Sequence, residues 1–419
     1  RSRFQFQSFG RCACHMHDYP IFIFAALLIF GFGLFSRVSE RSPISAAMVF
    51  VTVGMAAGPI GLDFLKVGIN APLVRVLAEV TLVLVLFVDA STINLRSLIR
   101  EKGVPFRLLL IGLPLTMGLG LLAAVPLFDN VNPWALALMA FILSPTDAAL
   151  GQPLLKSPAV PEKIKEAINV ESGLNDGIAL PPILACIAVL SSAAAQKLDA
   201  QYWVIFTLKQ FLFGPLLGAL VGWLGGRLVD QASKAGWMNS TFQRLAAWSL
   251  AVLAYALAEI FHGNGFIAAF FGGLMLGTHT PIVRERIQEF GEAEGQQLAL
   301  FVFLIFGLVA VPSAAGYWDA KAWLYAILSL TVIRMLPVCI CLMGTKLDWW
   351  SVGLIGWFGP RGIASVLYLL MVVYELGLAG QERILSVIVL TVLLSVFLHG
   401  VSAVPLSRLY AVRGSNGAN

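Results

Sequence analysis

Apolar runs long enough to cross a bilayer follow one another along nearly the whole chain, and no other feature constrains the fold as much. A helix needs about 20 apolar residues to span hydrocarbon. In lipid every backbone polar group must be satisfied within the protein, which leaves helices or a closed barrel. These runs are continuous and do not alternate with polar residues, so they read as helices. Of the 419 residues, 58% are hydrophobic and 12% charged, about half the charged share of a soluble domain. The fold class is an all-α polytopic membrane protein.

The runs place about thirteen transmembrane helices at 20–36, 43–57, 71–92, 105–125, 132–152, 166–190, 203–229, 241–262, 264–278, 296–313, 320–343, 349–374 and 383–407. Positive charge then orients them. Arg37, Arg41, Arg96, Arg100, Lys102, Arg107, Lys156, Lys163, Lys165, Arg227, Lys234, Arg244, Arg284, Arg286 and Lys346 follow odd-numbered spans. The other side holds only Lys66, Arg75, Lys197, Lys209, Lys321 and Arg383. The odd side is expected to be cytoplasmic, with the N-terminus outside and the C-terminus inside. Residues 1–19 read as a disordered or vector-derived extension with a natural start at Met16, and the first span as retained because no A-x-A cleavage site follows it.

The basic residues sit between apolar runs without interleaved aromatics, so the net charge of +5 does not point to nucleic acid. Five cysteines are too scattered for a disulfide framework. Cys12, Cys14, His15 and His17 are too tightly spaced to read as a metal site. Cys186, Cys339 and Cys341 read as packing residues. Trp349 and Trp350 read as interface anchors, "GGLMLG" (272–277) as a stripe for close helix packing, and residues 284–297 as an amphipathic cytoplasmic connector.

A charge at mid-bilayer costs at least about 3 kcal/mol, so each ionisable residue inside a span needs a reason. Glu79, Asp89, Asp147, Glu171, Asp176, Glu259, Arg334 and Arg361 are the candidates. Asp89 and Glu259 lie near span ends and read as snorkelling. Glu79 is deeper, and reads equally as a group on an ion path or as a packing partner. Asp147 lies in "FILSPTDAAL". There Pro145 lacks a donor and clashes with the preceding turn, which frees carbonyls near Leu143 and Ser144. Broken helices at membrane depth are tolerated where they line a cavity, and their freed carbonyls coordinate cations. Thr146 and Asp147 add oxygens beside the break.

In the sixth span, "VESGLNDG" (170–177) carries two carboxylates. At 100° per residue, Ser172, Asn175 and Asp176 share one face, while Glu171 lies about 140° from Asp176. Glu171 therefore needs another partner, and buried Arg334 is the candidate. A second break is expected in the twelfth span, where Gly359, Pro360 and Gly362 surround Arg361. The fifth and twelfth spans are seven apart and so antiparallel, as an inverted-topology repeat of spans 1–6 and 8–13 requires. Breaks at matching positions of two halves point to a transport site. With no Walker motif in the chain, an ion gradient is the expected driving force.

At "SPTDAALGQPLL", "NVESGLNDGIALP", "GNGFIAAFFGGLMLG" and "LTVIRMLPV…GWFGPRGIAS" the chain resembles the monovalent cation:proton antiporter-1 family, the NhaP-type sodium/proton exchangers, over about residues 20–408. The resemblance implies a thirteen-helix fold with a core domain (about 105–190 and 320–407 plus the third helix), the remainder forming a dimerisation scaffold, and a short cytoplasmic tail at 409–419. It implies Asp176 as the carrier of proton or cation, with Thr146, Asp147 and Ser172 as cation ligands and Glu79, a looser match, as the third-helix acid. Glu171 and Arg334 match the family's core ion pair, and Asn175 the asparagine of its electroneutral members. Two departures stand out. Ala148 follows the fifth-span aspartate where the family often has proline, and a large cytoplasmic tail found in some members is not part of these 419 residues.

The expected function is secondary active exchange of Na⁺ or Li⁺ for H⁺, electroneutral and one for one, by a homodimer in the cell inner membrane serving sodium transport and pH homeostasis, without a cofactor. K⁺/H⁺ exchange on the same fold is the alternative. A sodium-coupled organic-anion symporter is disfavoured because no anion-binding cation stands near Asp176. An intramembrane hydrolase is disfavoured because Asp147 lacks an aspartyl-dyad motif and no mid-span nucleophile set is present.

Overall fold

The computed structural model describes residues 19–416 except 40–41, 70, 94–102, 156, 158–159, 196–199 and 280. Cys12, Cys14, His15 and His17, and the loop charges Arg41, Arg96, Arg100, Lys102, Lys156 and Lys197, lie outside the described residues. Among those described, every regular element is helical: α1 Tyr19–Ser39, α2 Ala46–Ala57, α3 Pro72–Ser91, α4 Val104–Leu127, α5 Pro133–Ile142, a 3₁₀ turn at Ala148–Gly151, α6 Gln152–Leu155, α7 Glu162–Ala195, α8 Ala200–Lys234, α9 Ser240–Ile260, α10 Gly265–His279, α11 Pro281–Ile305, α12 Val311–Ala315, α13 Ala320–Leu330, α14 Val332–Cys341, α15 Trp349–Trp357, α16 Ile363–Leu376 and α17 Glu382–Asn416. Six stretches among the described residues are long and apolar enough to cross a bilayer: Val104–Leu127, Glu162–Ser191, Leu208–Lys234, Ala293–Ala315, Ala320–Cys341 and Glu382–Tyr410. Shorter apolar helices, α2, α5 and α16 among them, pack between these.

Local chemistry sets several boundaries. Asn132, Asn239 and Asp319 accept backbone N–H bonds from Trp134, Phe242 and Ala322 and so cap the N-termini of α5, α9 and α13. His262, with φ +57°, turns the chain between α9 and α10. There Glu259 accepts from the N–H of Gly265 at 2.9 Å. Glu259, exposed at the end of α9, also caps the N-terminus of α10. Two wide π turns, Leu108–Gly112 in α4 and Phe306–Ala310 between α11 and α12, each lie two residues before a proline, Pro114 and Pro312. A widened turn relieves the clash of the proline ring with the carbonyl four residues earlier.

Helix extends through two stretches read as connector and tail, and one span is broken. The connector at 284–297 is not a separate element, because α11 runs through it without a break. The last helix continues to Asn416, so most of the tail expected at 409–419 extends α17. The span at 320–343 is broken at Thr331 (φ −114°, ψ −91°), which divides α13 from α14. The Thr331 hydroxyl donates back to the Ile327 carbonyl at 2.7 Å, a bond that bends helices.

Packing is closest where glycine removes the side chain. A Cβ at Gly273 or Gly277 would stand 2.0 Å from the carbonyl oxygen of Phe87 or Ser91 on α3, and one at Gly218 would stand 2.1 Å from that of Ala268. α10 thus meets both α3 and α8 backbone to backbone. The "GGLMLG" stripe does the work expected of it. On the outer side of α8, Leu208, Leu212, Leu216, Leu220, Leu224 and Leu228 are exposed at four-residue spacing, a belt suited to lipid tails. At one end of the bundle Lys321 reaches Asp129 at 3.0 Å and Arg383 reaches Asp319 at 2.6 Å. The hydrogen bond from Lys321 holds the Asp129 carboxyl below its usual range.

A Gly273→Val substitution cannot be absorbed by a side-chain rotation, because its neighbour is main chain. It is expected to cost about 2–3 kcal/mol and to lower the melting temperature of the detergent-purified protein. Gly33→Ala, at a position with nothing within 4 Å of its Cβ, leaves the melting temperature unchanged.

Candidate ion-translocation site

Two interrupted helices meet in the middle of the bundle. α5 ends at Ile142, and Leu143 to Asp147 run unwound to the 3₁₀ turn. α15 ends at Trp357, and Phe358 to Gly362 run unwound to α16. The unwound pieces bond to each other: the Asp147 N–H donates to the Pro360 carbonyl at 2.8 Å. Asp147 Oδ2 accepts the Ile363 N–H at 2.9 Å, so its carboxylate faces the positive N-terminus of α16. Arg361 does the converse. Its guanidinium donates to the carbonyls of Ser144 at 2.8 Å, Pro145 at 3.3 Å and Ser329 at 3.4 Å. It thereby caps the negative C-terminal end of α5.

The Ser144 carbonyl, expected from sequence to be free for a cation, is therefore occupied by Arg361. Both glycines of the second break are dictated by side chains. A Cβ at Gly362 would stand 2.0 Å from Asp147 Oδ2, and one at Gly359 would stand 2.3 Å from Arg334 Nε. Pro145 and Pro360 sit within the two unwound pieces and carry no N–H that would need a partner there.

α7 supplies the third wall, and its residues divide as helical geometry requires. Ser172 Oγ donates to the Thr146 carbonyl at 2.9 Å and accepts the Ala148 N–H at 2.8 Å. Asn175 Nδ2 donates to Thr146 Oγ1 at 2.7 Å and to its carbonyl at 3.3 Å. Asp176 is 6% and Asp147 9% exposed. The Asp176 carbonyl accepts from the Tyr368 hydroxyl at 2.8 Å, while its carboxylate Oδ1 and Asn175 Oδ1 are buried without a hydrogen-bond partner. The carboxylates of Asp147 and Asp89 lie within electrostatic reach of Asp176. On the other face of α7, Glu171 takes both terminal nitrogens of Arg334, at 2.6 and 2.9 Å, and the two side chains are buried.

Thr146, Asp147, Ser172, Asn175 and Asp176 are thus brought together, with Glu171 and Arg334 paired beside them. Of the two acids on α3, Glu79 fits the packing-partner half of its sequence reading. Glu79 is drawn to Arg75 one turn away at 2.7 Å, on a cleft also lined by Tyr374 and Glu375. Asp89 lies near the end of α3, as read, with its charge within electrostatic reach of Asp176. The signal for it was Gly173, inside the α7 motif, whose missing side chain lets the Asp89 carbonyl approach to 3.3 Å of the Cβ position. Tyr368 was also missed, because its sequence context is that of an ordinary apolar helix.

A pair of crossed broken helices with buried carboxylates beside them is the architecture of an ion-gradient-driven transporter. A family model described as "Sodium/hydrogen exchanger, transmembrane" matches residues 23–409. The chain belongs to that family of cation/proton antiporters and is a multi-span membrane protein. Among curated relatives it is 26% identical over 397 residues to the K(+)/H(+) antiporter NhaP2 of Shewanella oneidensis, covering 93% of this chain and 67% of the relative. It is 25% identical to the K(+)/H(+) antiporter NhaP of Alkalimonas amylolytica, covering 88% and 63%. A Na(+)/H(+) antiporter of Schizosaccharomyces pombe is 24% identical over 58% of this chain and 54% of its own length. The fold matches the sodium proton antiporter MjNhaP1 of Methanocaldococcus jannaschii with a TM-score of 0.74 at 17% identity, covering 94% of this chain and 99% of that one.

Removing one member of the buried pair leaves the other charged and unpaired, at a cost of about 3–5 kcal/mol. Glu171→Ala is therefore expected to lose much of its yield and melting temperature. Glu171→Leu combined with Arg334→Met restores part of both. Thermal melts of the two purified variants beside the parent check this.

Proposed function

We propose that this chain exchanges Na⁺ or Li⁺ for H⁺, with Asp176 and Asp147 as the groups that hold either ion. The observation that carries this reading is the Asp176 carboxylate: buried, with one oxygen unbonded, beside Asp147 at the crossing of two broken helices. A buried carboxylate is costly unless something neutralises it. A proton and a cation are alternative ways to do so, and a nearby cation weakens proton binding. The two ions therefore compete for one site.

Asp147, the Thr146 and Ser172 hydroxyls and the unbonded Asn175 oxygen are the supporting oxygens. Asp89 is a further carboxylate on the path. Asn175 adds no charge where a second acid would, which supports one proton for one cation and an electroneutral cycle. Glu171 and Arg334 hold α7 and α14 together while the site is presented to either side.

In this reading the thirteen helices form two inverted halves, with the N-terminus outside and the C-terminus inside. Residues 105–190 and 320–407 with α3 move as a core against a scaffold through which two copies pair in the cell inner membrane. A second reading, K⁺/H⁺ exchange, is favoured by the curated relatives, among which NhaP2 and NhaP are named K(+)/H(+) antiporters.

Cation-driven proton movement in proteoliposomes, with Na⁺, K⁺ and Li⁺ added in turn, separates the two. A response to K⁺ alone removes the sodium reading. Asp176→Asn is expected to abolish exchange with every cation while the purified protein melts as the parent does. Retained exchange in that variant takes Asp176 out of the mechanism. Electroneutrality predicts that clamping the membrane potential at fixed pH gradient leaves the rate unchanged.

A further inference from the structure

α17 carries a polar stripe that none of the preceding roles uses. Ser395, His399 and Ser402 fall at i, i+4 and i+7, on one face of an otherwise apolar helix. Ser395 and His399 are almost fully buried. Ser395 meets the unwound link between α15 and α16, and His399 and Ser402 meet Trp357, the last residue of α15. Ser395 Oγ accepts the Arg361 N–H at 2.6 Å. His399 Nδ1 lies 3.2 Å from Ser395 Oγ and 3.0 Å from the Ser395 carbonyl oxygen. The His399 ring packs on Trp357, centroids 5.0 Å apart. The Trp357 indole N–H in turn donates to Ser402 Oγ at 2.9 Å. α17 thus grips the link on both sides of Gly359 and Pro360.

The decisive geometry is one peptide plane. The Pro360 carbonyl and the Arg361 N–H belong to the same rigid unit. Its oxygen accepts from the N–H of Asp147 at 2.8 Å, and its N–H donates to Ser395. The plane is suspended between the Asp147 backbone and the Ser395 hydroxyl. Two residues on, the Ile363 N–H reaches the Asp147 carboxylate. If the Ser395 end is released, the buried N–H loses its acceptor. The plane must then turn to find another. Any such turn moves the carbonyl off Asp147 and shifts the start of α16 against its carboxylate. His399 Nδ1 either donates to the oxygens of Ser395 or accepts from its hydroxyl, according to the tautomer, and in both cases it holds Ser395 Oγ beside the Arg361 N–H.

We propose that Ser395 and His399 are positioning residues for the ion site, setting cation affinity at Asp147 through the Pro360–Arg361 peptide plane. This rests on the reading of Asp147 as a cation-holding group. The test measures the apparent cation KM and the maximal rate of cation-driven proton movement, in proteoliposomes of the full chain at fixed pH, with the cation found to drive exchange. Ser395→Ala is expected to raise the apparent KM about fivefold or more, whereas Ser395→Thr, which keeps the hydroxyl, stays within about twofold of the parent. His399→Phe, which keeps a ring against Trp357 but loses Nδ1, moves KM in the same direction. A merely structural role lowers melting temperature and yield but leaves the KM of the folded protein where it was. That outcome for Ser395→Ala overturns the proposal. If Ser395→Ala does not fold, His399→Phe decides by the same criterion. Asp147→Asn is measured alongside. Parent-like KM in that variant removes the reading on which the proposal stands. An inactive Asp147→Asn beside a parent-like Ser395→Ala removes the positioning role alone.

Discussion

The crossing of two interrupted helices, and the exchange of charge across it, is the constraint on which the rest of this protein depends. Each break leaves buried backbone groups without helical partners, and each is answered by a side chain from the opposite strand of the cross. Arg361 satisfies the carbonyl end of α5, and Asp147 satisfies the amide end of α16. Neither charge would be tolerated at that depth without the other helix's terminus. The glycines follow from the same contact, since Asp147 and Arg334 occupy the space that Cβ atoms at Gly362 and Gly359 would take.

Around this crossing the polar groups form two systems that share α7. One consists of Ser172, Asn175 and Asp176 against the Thr146–Asp147 break. The other is the Glu171–Arg334 pair, which ties α7 to α14. A buried ion pair is weak evidence for net stability, because desolvation offsets much of its attraction. Its value here is geometric. It holds one rotation of α7, and only in that rotation do Ser172 and Asn175 reach Thr146 while Asp176 keeps an oxygen unbonded. Rigidity of the frame and openness of the one carboxylate are two consequences of the same helix phase.

Much of this was legible in the sequence where a residue's chemistry leaves few choices. Proline cannot donate, so the breaks at Pro145 and Pro360 announce themselves. Helical periodicity separates Glu171 from Asp176 before any coordinates exist. Of the charged residues inside apolar runs, Asp147, Glu171, Asp176, Arg334 and Arg361 are buried in the bundle. Position along α3 left a choice open. Glu79 read equally as a path group or a packing partner, and its pair with Arg75 fits the second, while the charge of Asp89 near the helix end reaches Asp176. The Arg75–Glu79 spacing of one helical turn was itself visible in the sequence and favoured the local pair. The break at Thr331 was hidden because a β-branched residue in an apolar run bends a helix only when its hydroxyl turns back onto the backbone.

The sequence by itself determined that the chain is a helical membrane protein, that two of its helices are broken, and which residues of "VESGLNDG" share a face. These follow from local rules, namely hydrophobic length, the missing proline donor and the 100° step of the helix. Only the tertiary structure decided which carboxylate on α3 comes near Asp176, that Arg361 rather than an ion occupies the carbonyls at the α5 break, and that Ser395 holds the other end of the Pro360–Arg361 peptide plane. Those depend on how far one helix slides along another. That distance is set by close contacts at residues such as Gly173, Gly273 and Gly362, whose partners lie far away in the chain.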